Sequence, residues 1–131
     1  MKHCYTTIRV RYAETDQMQV VYYANYFVWF EVGRGELFRS LGNSYRALEA
    51  SGFLLPVIQA DCRYRRPARY DDELTIYTQV RLMSAARLCF DYEVHRHSDE
   101  VLTATGRTTH AVVNRQGKPT ALPVEMREIL R

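Results

Sequence analysis

The chain of 131 residues is 47% hydrophobic and 25% charged, and it carries a formal net charge of +3 at pH 7. A chain of this length is typical of one domain, and it can bury enough surface to fold without disulfides or a structural metal. The mild charge argues against a strongly basic surface for nucleic acid, although it permits an anionic ligand.

The three cysteines, Cys4, Cys62 and Cys89, are far apart in the sequence and form no C-x-x-C pair. This number and spacing favour reduced thiols over a disulfide framework or a zinc site, as is typical of cytoplasmic proteins. The first ten residues alternate polar and apolar side chains, unlike a signal peptide. No apolar run approaches the roughly 20 residues that a membrane span needs. We therefore expect a cytoplasmic protein without membrane insertion.

Alternating polar and apolar residues predict β-strands, and apolar spacings of three and four predict helices. In chain order, the predicted elements are a strand at 5–12, a polar loop at 13–19, a long helix at 22–41, a short helix at 44–50, an extended segment at 53–64, strands at 74–82, 87–95 and 101–113, and a terminal helix at 123–131. The short connections between the later strands indicate antiparallel neighbours.

This order predicts an α+β fold in one domain, residues 1–131, with a five-stranded antiparallel sheet wrapped around one long central helix. The edges of such a sheet remain open, so association with a second copy is expected.

The long helix is apolar on nearly every face in its first turns, so we expect it to be buried all round. Gly33 and Gly35 lie in its middle, where each glycine costs about 1 kcal/mol relative to alanine. Close packing of the helix backbone would explain them, and a local break in the helix is the alternative. Gly42 is expected to end the helix. Glu31 lies three positions before Arg34, a spacing that predicts an ion pair.

The segment RYAETDQMQVVYYANYFVWFEVGR, residues 11–34, joins the polar loop to the helix. It resembles the signature of the 4-hydroxybenzoyl-CoA thioesterase family, whose members are hotdog-fold acyl-CoA thioester hydrolases. The segments at 64–76 and 109–123 resemble the second block and the last strand and turn of that family. The matching positions in the first segment are, in order, Asp16, Val20, Val21, Tyr22, Asn25, Tyr26, Phe30, Glu31 and Arg34.

The resemblance implies hydrolysis of an acyl-CoA thioester to a free carboxylic acid and coenzyme A, with an acyl-carrier-protein thioester as the alternative substrate. Asp16 would be the catalytic carboxylate, the backbone N–H of Tyr23 would bind the developing oxyanion, and Tyr22 would line the carbonyl site. No metal and no bound cofactor is implied, because coenzyme A is part of the substrate. Hotdog sites lie between subunits, so the resemblance also implies a homodimer or a homotetramer.

The residues themselves allow this chemistry for Asp16. The first N–H groups of a helix lack partners within the helix and lie at the positive end of its dipole, so they can hold a thioester carbonyl. A nearby carboxylate can attack the carbonyl as a nucleophile or deprotonate water as a general base. From spacing alone, a helix cap or a solvated loop acid is the simpler interpretation of Asp16. Glu14, on the same loop, is interpreted as a solvated or supporting acid.

Two positions depart from the commoner pattern of the family. Gln19 stands where a glycine is usual, and its side chain could narrow the pocket or alter the loop. Tyr23 stands where many bacterial relatives carry histidine. That change removes a possible acid–base helper, but the backbone N–H is retained.

A cluster of arginines interleaved with tyrosines occupies residues 63–70. Guanidinium groups pair well with phosphate oxygens, so Arg65 and Arg66 are predicted to bind the phosphates of coenzyme A. A solvated sheet end is the alternative interpretation of this cluster. Arg87, at a turn between two strands, is a further phosphate-binding candidate.

Two other functions are compatible with these residues. A non-hydrolytic protein that binds acyl-CoA or acyl-carrier-protein thioesters would use the same site without turnover. An RNA-binding module would use the arginine and tyrosine cluster, but the mild net charge argues against nucleic acid. His95 and His97 lack a third ligand at a clear spacing, so no metal site is predicted. His110 is expected to be a hydrogen-bonded structural residue.

Overall fold

The computed structural model describes residues 2–42 and 45–131. The strands are β1 (Lys2–Arg9), β2 (Val57–Tyr64), β3 (Glu73–Ser84), β4 (Arg87–Arg96) and β5 (Leu102–Ala111), and the helices are α1 (Asn25–Ser40), α2 (Tyr45–Ala50) and α3 (Val124–Leu130). The predicted start of the second helix, position 44, lies outside the described residues. Among the helices that the structure describes, none is long and apolar enough to cross a membrane.

The five strands form one antiparallel sheet in the order β1-β3-β4-β5-β2, so β1 and β2 are its edges. In β3, Leu74, Ile76 and Val80 are fully buried, while the residues between them are partly exposed or polar. This period of two is the pattern of a pleated strand with one face on the core. The α+β architecture predicted from the sequence, a five-stranded antiparallel sheet around one long helix, is confirmed.

Helix α1 packs on the sheet mainly through aromatic rings. Phe30 stacks on Tyr92 of β4, with ring centroids 4.2 Å apart and planes within 9° of parallel. Phe38 meets the edge of Phe90, also on β4, at 5.9 Å. Aromatic pairs of this kind contribute about 0.5–1.5 kcal/mol beyond the burial of their area. They fix the position of the helix over the centre of the sheet.

The surface of α1 differs from the expectation that the helix is buried all round. Val28 is 51% exposed, and Glu31 and Val32 are exposed with it. The predicted ion pair of Glu31 with Arg34 is wrong, because no such contact exists among the described residues. The Nη1 of Arg34 donates instead to the hydroxyl of Tyr92 at 3.1 Å. Arg34 thus turns toward the sheet, while Glu31 remains in water.

The buried His110 has the structural role that the sequence predicted. Its Nδ1 contacts the carbonyl of Leu55 and its Nε2 contacts the hydroxyl of Thr108, both at 2.9 Å. Burial, and secondarily the charge of Arg34, lower the pKa of His110 to about 4. The imidazole is therefore neutral at neutral pH and serves as a hydrogen-bonding part of the core.

Gly33 lies where α1 and β3 approach most closely. A Cβ at this position would overlap the hydroxyl of Thr78 and lie 3.3 Å from Cγ2 of Ile76, whereas a Cβ on Gly35 would meet no atom of the described residues within 4 Å. The helix continues through both glycines, so close packing explains Gly33 and the alternative of a local break is wrong. Gly42 follows the helix with a φ of 82°, in the left-handed region that glycine favours at helix ends.

We expect Gly33→Ala to lower the free energy of unfolding by about 1–3 kcal/mol, because the added methyl group overpacks the contact between α1 and β3. Gly35→Ala is the matched control in the same helix, and it should raise the free energy of unfolding by about 1 kcal/mol because alanine is the better helix former. Urea denaturation of the two variants measures both values. The same effect from both substitutions would contradict the close packing at Gly33.

Candidate active site

One end of the sheet collects most of the residues predicted to carry chemistry. The ends of β1 and β2 and the beginnings of β3 and β5 meet here. Two loops, residues 10–24 and 65–72, cover this end. The N–H of Val21 in the first loop donates to the carbonyl of Ala68 in the second at 2.8 Å. The two loops therefore hold each other in place.

Asp16 lies at a tight turn in the first loop. Its N–H donates to the carbonyl of Val20 at 3.0 Å, and its carbonyl accepts the N–H of Gln19 at 2.9 Å. The carboxylate Oδ1 accepts the N–H of Met18 at 2.8 Å, while Oδ2 has no hydrogen-bond partner within the described residues. The interpretation of Asp16 as a helix cap is wrong, because Ala24 occupies the N-cap of α1. The backbone thus orients the half-buried carboxylate and leaves one oxygen available.

Glu14 anchors this loop to α1. Its side chain is buried, with Oε1 accepting the N–H of Arg11 at 2.8 Å and Oε2 accepting the indole N–H of Trp29 at 3.2 Å. Its carbonyl accepts the N–H of Tyr22 at 2.8 Å and the side-chain amide of Asn25 at 2.9 Å. The interpretation of Glu14 as a solvated acid is therefore wrong. It is a supporting acid that fixes the loop to the beginning of the helix.

The helix begins at Asn25, three residues later than predicted. The N–H of Tyr22 is engaged by the loop, and the carbonyl of Tyr22 accepts the N–H of Asn25 at 3.0 Å, so these residues form a turn that leads into α1. Within residues 2–42 and 45–131, the N–H groups of Tyr23 and Ala24 have no hydrogen-bond acceptor. Two adjacent donors are therefore free at the positive end of the helix dipole.

A cavity of about 350 Å³ opens beside this turn. Asp16 and Tyr23 line it together with Arg65 and Arg66, so the structure brings these four predicted site residues together. The rest of its lining consists of mostly apolar and aromatic side chains, namely Val20, Val21, Tyr26, Tyr64, Pro67 and Ala68. Apolar walls with a few converging polar groups are typical of a small-molecule site.

Gln19 keeps the turn beside Asp16 although it is not a glycine. Its φ of 65° is in the left-handed region that glycine adopts at no steric cost. Its side chain is exposed and does not line the cavity. The substitution of glutamine for the usual glycine therefore neither narrows the cavity nor removes the turn.

Tyr22 and Arg87 are not brought to this cavity. The ring of Tyr22 is exposed and packs against the ring of Tyr23, with centroids 4.7 Å apart. The pKa of Tyr22 is raised, mainly by a side-chain hydrogen bond with Tyr23. Arg87 pairs with Ala111 at the opposite end of the sheet. The stretch of β5 from Ala104 to Ala111 spans roughly 24 Å, so Arg87 cannot reach the cavity of its own chain.

A groove of about 530 Å³ adjoins the cavity and shares part of its wall. It is lined by Arg63, Tyr64, Arg65, Arg66, Val101 and Leu102. The N–H groups of Arg65 and Arg66 both donate to the carbonyl of Thr103, at 2.8 and 3.1 Å, so the backbone of this segment is fixed. Their side chains are exposed. An anionic ligand can therefore reach both guanidinium groups from the groove.

Two tyrosines line the cavity although the sequence analysis gave them no role in it. Tyr26 is buried in the first turn of α1, and its ring lies edge-on to Tyr64 with centroids 5.2 Å apart. The hydroxyl of Tyr64 donates to the carbonyl of Tyr23 at 3.0 Å. The interleaving of tyrosine with arginine was the only signal for Tyr64, and it gave no indication of a partner 41 positions away.

Residues 10–130 match the sequence model of the Thioesterase-like superfamily. The acyl-CoA thioester hydrolase YbgC of Escherichia coli O6:H1 is 33% identical over 116 residues, which cover 88% of this chain and 87% of YbgC.

Two solved structures are similar over nearly the whole chain. The hypothetical protein AQ1494 from Aquifex aeolicus superposes with a TM-score of 0.91 at 31% identity, covering 98% of this chain and 99% of that protein. The DHNA-CoA thioesterase from Staphylococcus aureus superposes with a TM-score of 0.88 at 34% identity, covering 93% of this chain and 82% of that enzyme. The hotdog fold predicted from the sequence is confirmed by these superpositions.

Proposed function

This chain belongs to the thioesterase-like superfamily and is a thioester hydrolase, and we propose on that basis that it cleaves acyl-CoA thioesters to a free carboxylic acid and coenzyme A. The observation that carries the proposal is the cavity that Asp16, Tyr23, Arg65 and Arg66 line together. A carboxylate, an N–H donor and a cationic rim are the three groups that such a substrate needs at its carbonyl and its phosphates.

In the proposed complex, the thioester carbonyl accepts a hydrogen bond from the N–H of Tyr23. Two features support this assignment: the N–H has no acceptor among the described residues, and Tyr23 lines the cavity beside Asp16. Negative charge grows on the carbonyl oxygen during attack, and a donor already held in place stabilises it. Loss of one such donor typically lowers kcat by roughly 100- to 1000-fold. The dipole of α1 adds to the stabilisation.

Asp16 provides the working carboxylate, with Oδ1 held by Met18 and Oδ2 directed to the reaction. In one route Oδ2 attacks the carbonyl carbon, the thiolate leaves, and water hydrolyses the resulting mixed anhydride. In the other route the carboxylate takes a proton from a water molecule that attacks the carbonyl. A thiol has a pKa of roughly 8.5, so the thiolate is a good leaving group in both routes. Neither route uses a metal or a bound cofactor.

The phosphates of coenzyme A would bind in the groove that adjoins the cavity. Arg65 and Arg66 line both spaces, so they connect the reaction site to the groove. Both guanidinium groups are exposed on a fixed backbone, an arrangement suited to charge-assisted hydrogen bonds with phosphate oxygens. The acyl group would then occupy the apolar part of the cavity beside Tyr26 and Val21.

The working unit in this proposal is a homodimer paired through β2, and two dimers would make a homotetramer. β2 is an edge strand, and its Val57, Ile58 and Tyr64 are 47%, 50% and 45% exposed. An edge strand with exposed apolar side chains favours pairing with another strand. Two copies of β2 related by a two-fold axis pair antiparallel and join the two sheets.

The dimer also gives Arg87 a place in substrate binding. Antiparallel pairing reverses the second sheet, so its Val57 end lies beside the Tyr64 end of the first. Arg87 lies at the Val57 end of its own sheet, because Arg87 pairs with Ala111 and Val57 pairs with His110. Arg87 of the partner subunit would therefore lie at the same end of the joined sheet as the groove, two strands in from the seam, and we assign it a further contact with the phosphates.

We expect Asp16→Asn to lower kcat by at least about 100-fold with little change in KM, because the amide can neither attack the carbonyl nor take a proton from water. Glu125→Gln, an isosteric change of an exposed acid on α3, away from both the cavity and the β2 edge, should keep the wild-type rate. The measurement is thiol release from short, long and aromatic acyl-CoA esters and from an acyl-carrier-protein thioester.

This panel of thioesters distinguishes a hydrolase from a binding protein and acyl-CoA esters from carrier-protein thioesters. Wild-type protein that binds the esters without releasing thiol would contradict the hydrolase and favour a binding protein. Equal rates for the wild type and Asp16→Asn would contradict the role of Asp16. Turnover of the carrier-protein thioester, with no turnover of any acyl-CoA ester, would show that the substrate is an acyl-carrier-protein thioester.

We expect Ile58→Asp to convert the oligomer to a monomer, because the carboxylate would replace one of the exposed apolar side chains of β2 that the pairing buries, and burying a charge is costly. Val124→Asp, at an equally exposed valine on α3, is the control and should leave the assembly unchanged. Sedimentation velocity at micromolar concentration reads out the mass. A wild-type protein that sediments as a monomer would contradict the proposed dimer.

A further inference from the structure

Tyr64 connects the edge strand β2 to the backbone of the proposed oxyanion site. It is the last residue of the strand, and its hydroxyl donates to the carbonyl of Tyr23 at 3.0 Å. Its ring lies edge-on to the rings of Tyr26 and Tyr23, with centroids 5.2 and 6.2 Å away. Aromatic packing on two sides therefore limits the rotation of the ring, and its hydroxyl lies between the carbonyl of Tyr23 and the side chain of Cys62.

The hydrogen bond acts on a part of the chain that the helix does not hold. Tyr23 precedes the first residue of α1, so its N–H is outside the helical ladder. The peptide plane that carries this N–H is fixed through the carbonyl of Tyr22, which accepts the N–H of Asn25 at 3.0 Å. The next plane is fixed through the carbonyl of Tyr23. Because each peptide unit is planar, the bond from Asn25 fixes the N–H of Tyr23 directly. The bond from Tyr64 holds the plane on the other side of the Tyr23 Cα, and it thereby restricts the φ and ψ of Tyr23.

The carbonyl of Tyr23 has a second donor, the N–H of Tyr26, but at 3.4 Å this contact is long. The hydroxyl of Tyr64 is therefore the stronger constraint on this plane. Partial burial of the hydroxyl raises the pKa of Tyr64, and the neighbouring Cys62 raises it further. The phenol keeps its proton at neutral pH, so it can donate throughout the range in which a thioesterase works.

We propose that Tyr64 is a positioning residue for thioester hydrolysis, which holds the backbone of Tyr23 in the orientation that binds the oxyanion. The inference rests on the proposed function of the Asp16 cavity. Tyr64 does not attack the substrate or transfer a proton. It keeps the donor aimed at the place where negative charge develops, so that no reorientation is needed during the reaction.

The test is Tyr64→Phe, which keeps the ring and removes only the hydroxyl. We expect kcat to fall by about three- to tenfold, the effect of one neutral hydrogen bond, with KM and the thermal midpoint unchanged. Tyr5→Phe, at an exposed tyrosine of β1, is the matched control and should behave as the wild type. Thiol release from the best acyl-CoA ester gives kcat and KM for each variant.

Two inhibitors separate positioning from a purely structural role. A trifluoromethyl ketone analogue of the acyl-CoA adds water or the Asp16 carboxylate at its carbonyl carbon and so forms a tetrahedral adduct, whose affinity should fall by the same factor as kcat. A thioether analogue lacks the carbonyl, and its affinity should not change. A lower thermal midpoint with equal losses for both analogues would overturn the positioning role.

The remaining outcomes are also decisive. A Tyr64→Phe variant with wild-type kcat and wild-type affinity for the ketone would overturn the role of Tyr64 and leave the thioesterase intact. Wild-type protein that releases no thiol from any ester would overturn the proposed function, and the role of Tyr64 with it.

Discussion

The hydrogen bonds of the buried Glu14 hold the candidate site together. Its carboxylate accepts the indole N–H of Trp29 from α1, and its carbonyl accepts the N–H of Tyr22 from the turn before the helix. A buried carboxylate is costly unless its oxygens accept hydrogen bonds, so the loop and the helix are restricted to positions that satisfy it. Asp16 follows Glu14 by two residues, and Tyr23 follows Tyr22. The separation of the proposed nucleophile and oxyanion donor therefore depends on this one anchored residue.

The packing of α1 on the sheet fixes the other half of that geometry. Gly33 lets the helix backbone approach Thr78 of β3, and the stacking of Phe30 on Tyr92 sets its position along the sheet. The turn before α1 is continuous with the helix. The packing of the helix on the sheet therefore determines where the free N–H groups of that turn lie. Residues of the second loop then close the cavity from the far side. The site is thus formed by three segments, namely the loop at 10–24, helix α1 and the loop at 65–72. Most of the contacts that hold these segments together lie away from Asp16 and Tyr23.

Local patterns in the sequence were sufficient for most of the fold, because strand alternation and helical spacing arise from residues two to four positions apart. Every predicted strand and helix was found, with shifted ends. The errors came from long-range partners. The helix began late because Glu14 binds the N–H of Tyr22, and Arg34 turned inward because Tyr92 offers a hydroxyl. Asp16 and Tyr23 were identified through a family resemblance, and their roles stay predictions. No local signal could reveal the contact of Tyr64 with Tyr23.

The central claim is that a thioester carbonyl binds between the carboxylate of Asp16 and the N–H of Tyr23. A crystal structure of Asp16→Asn with a bound acyl-CoA tests it most directly. We expect the carbonyl oxygen about 2.7–3.1 Å from the Tyr23 nitrogen, with the phosphates in the groove lined by Arg65 and Arg66. A second cavity of about 430 Å³ lies along the exposed face of α1, beside Val32, Arg34 and Arg39. An acyl-CoA bound there, away from Tyr23, would contradict the account.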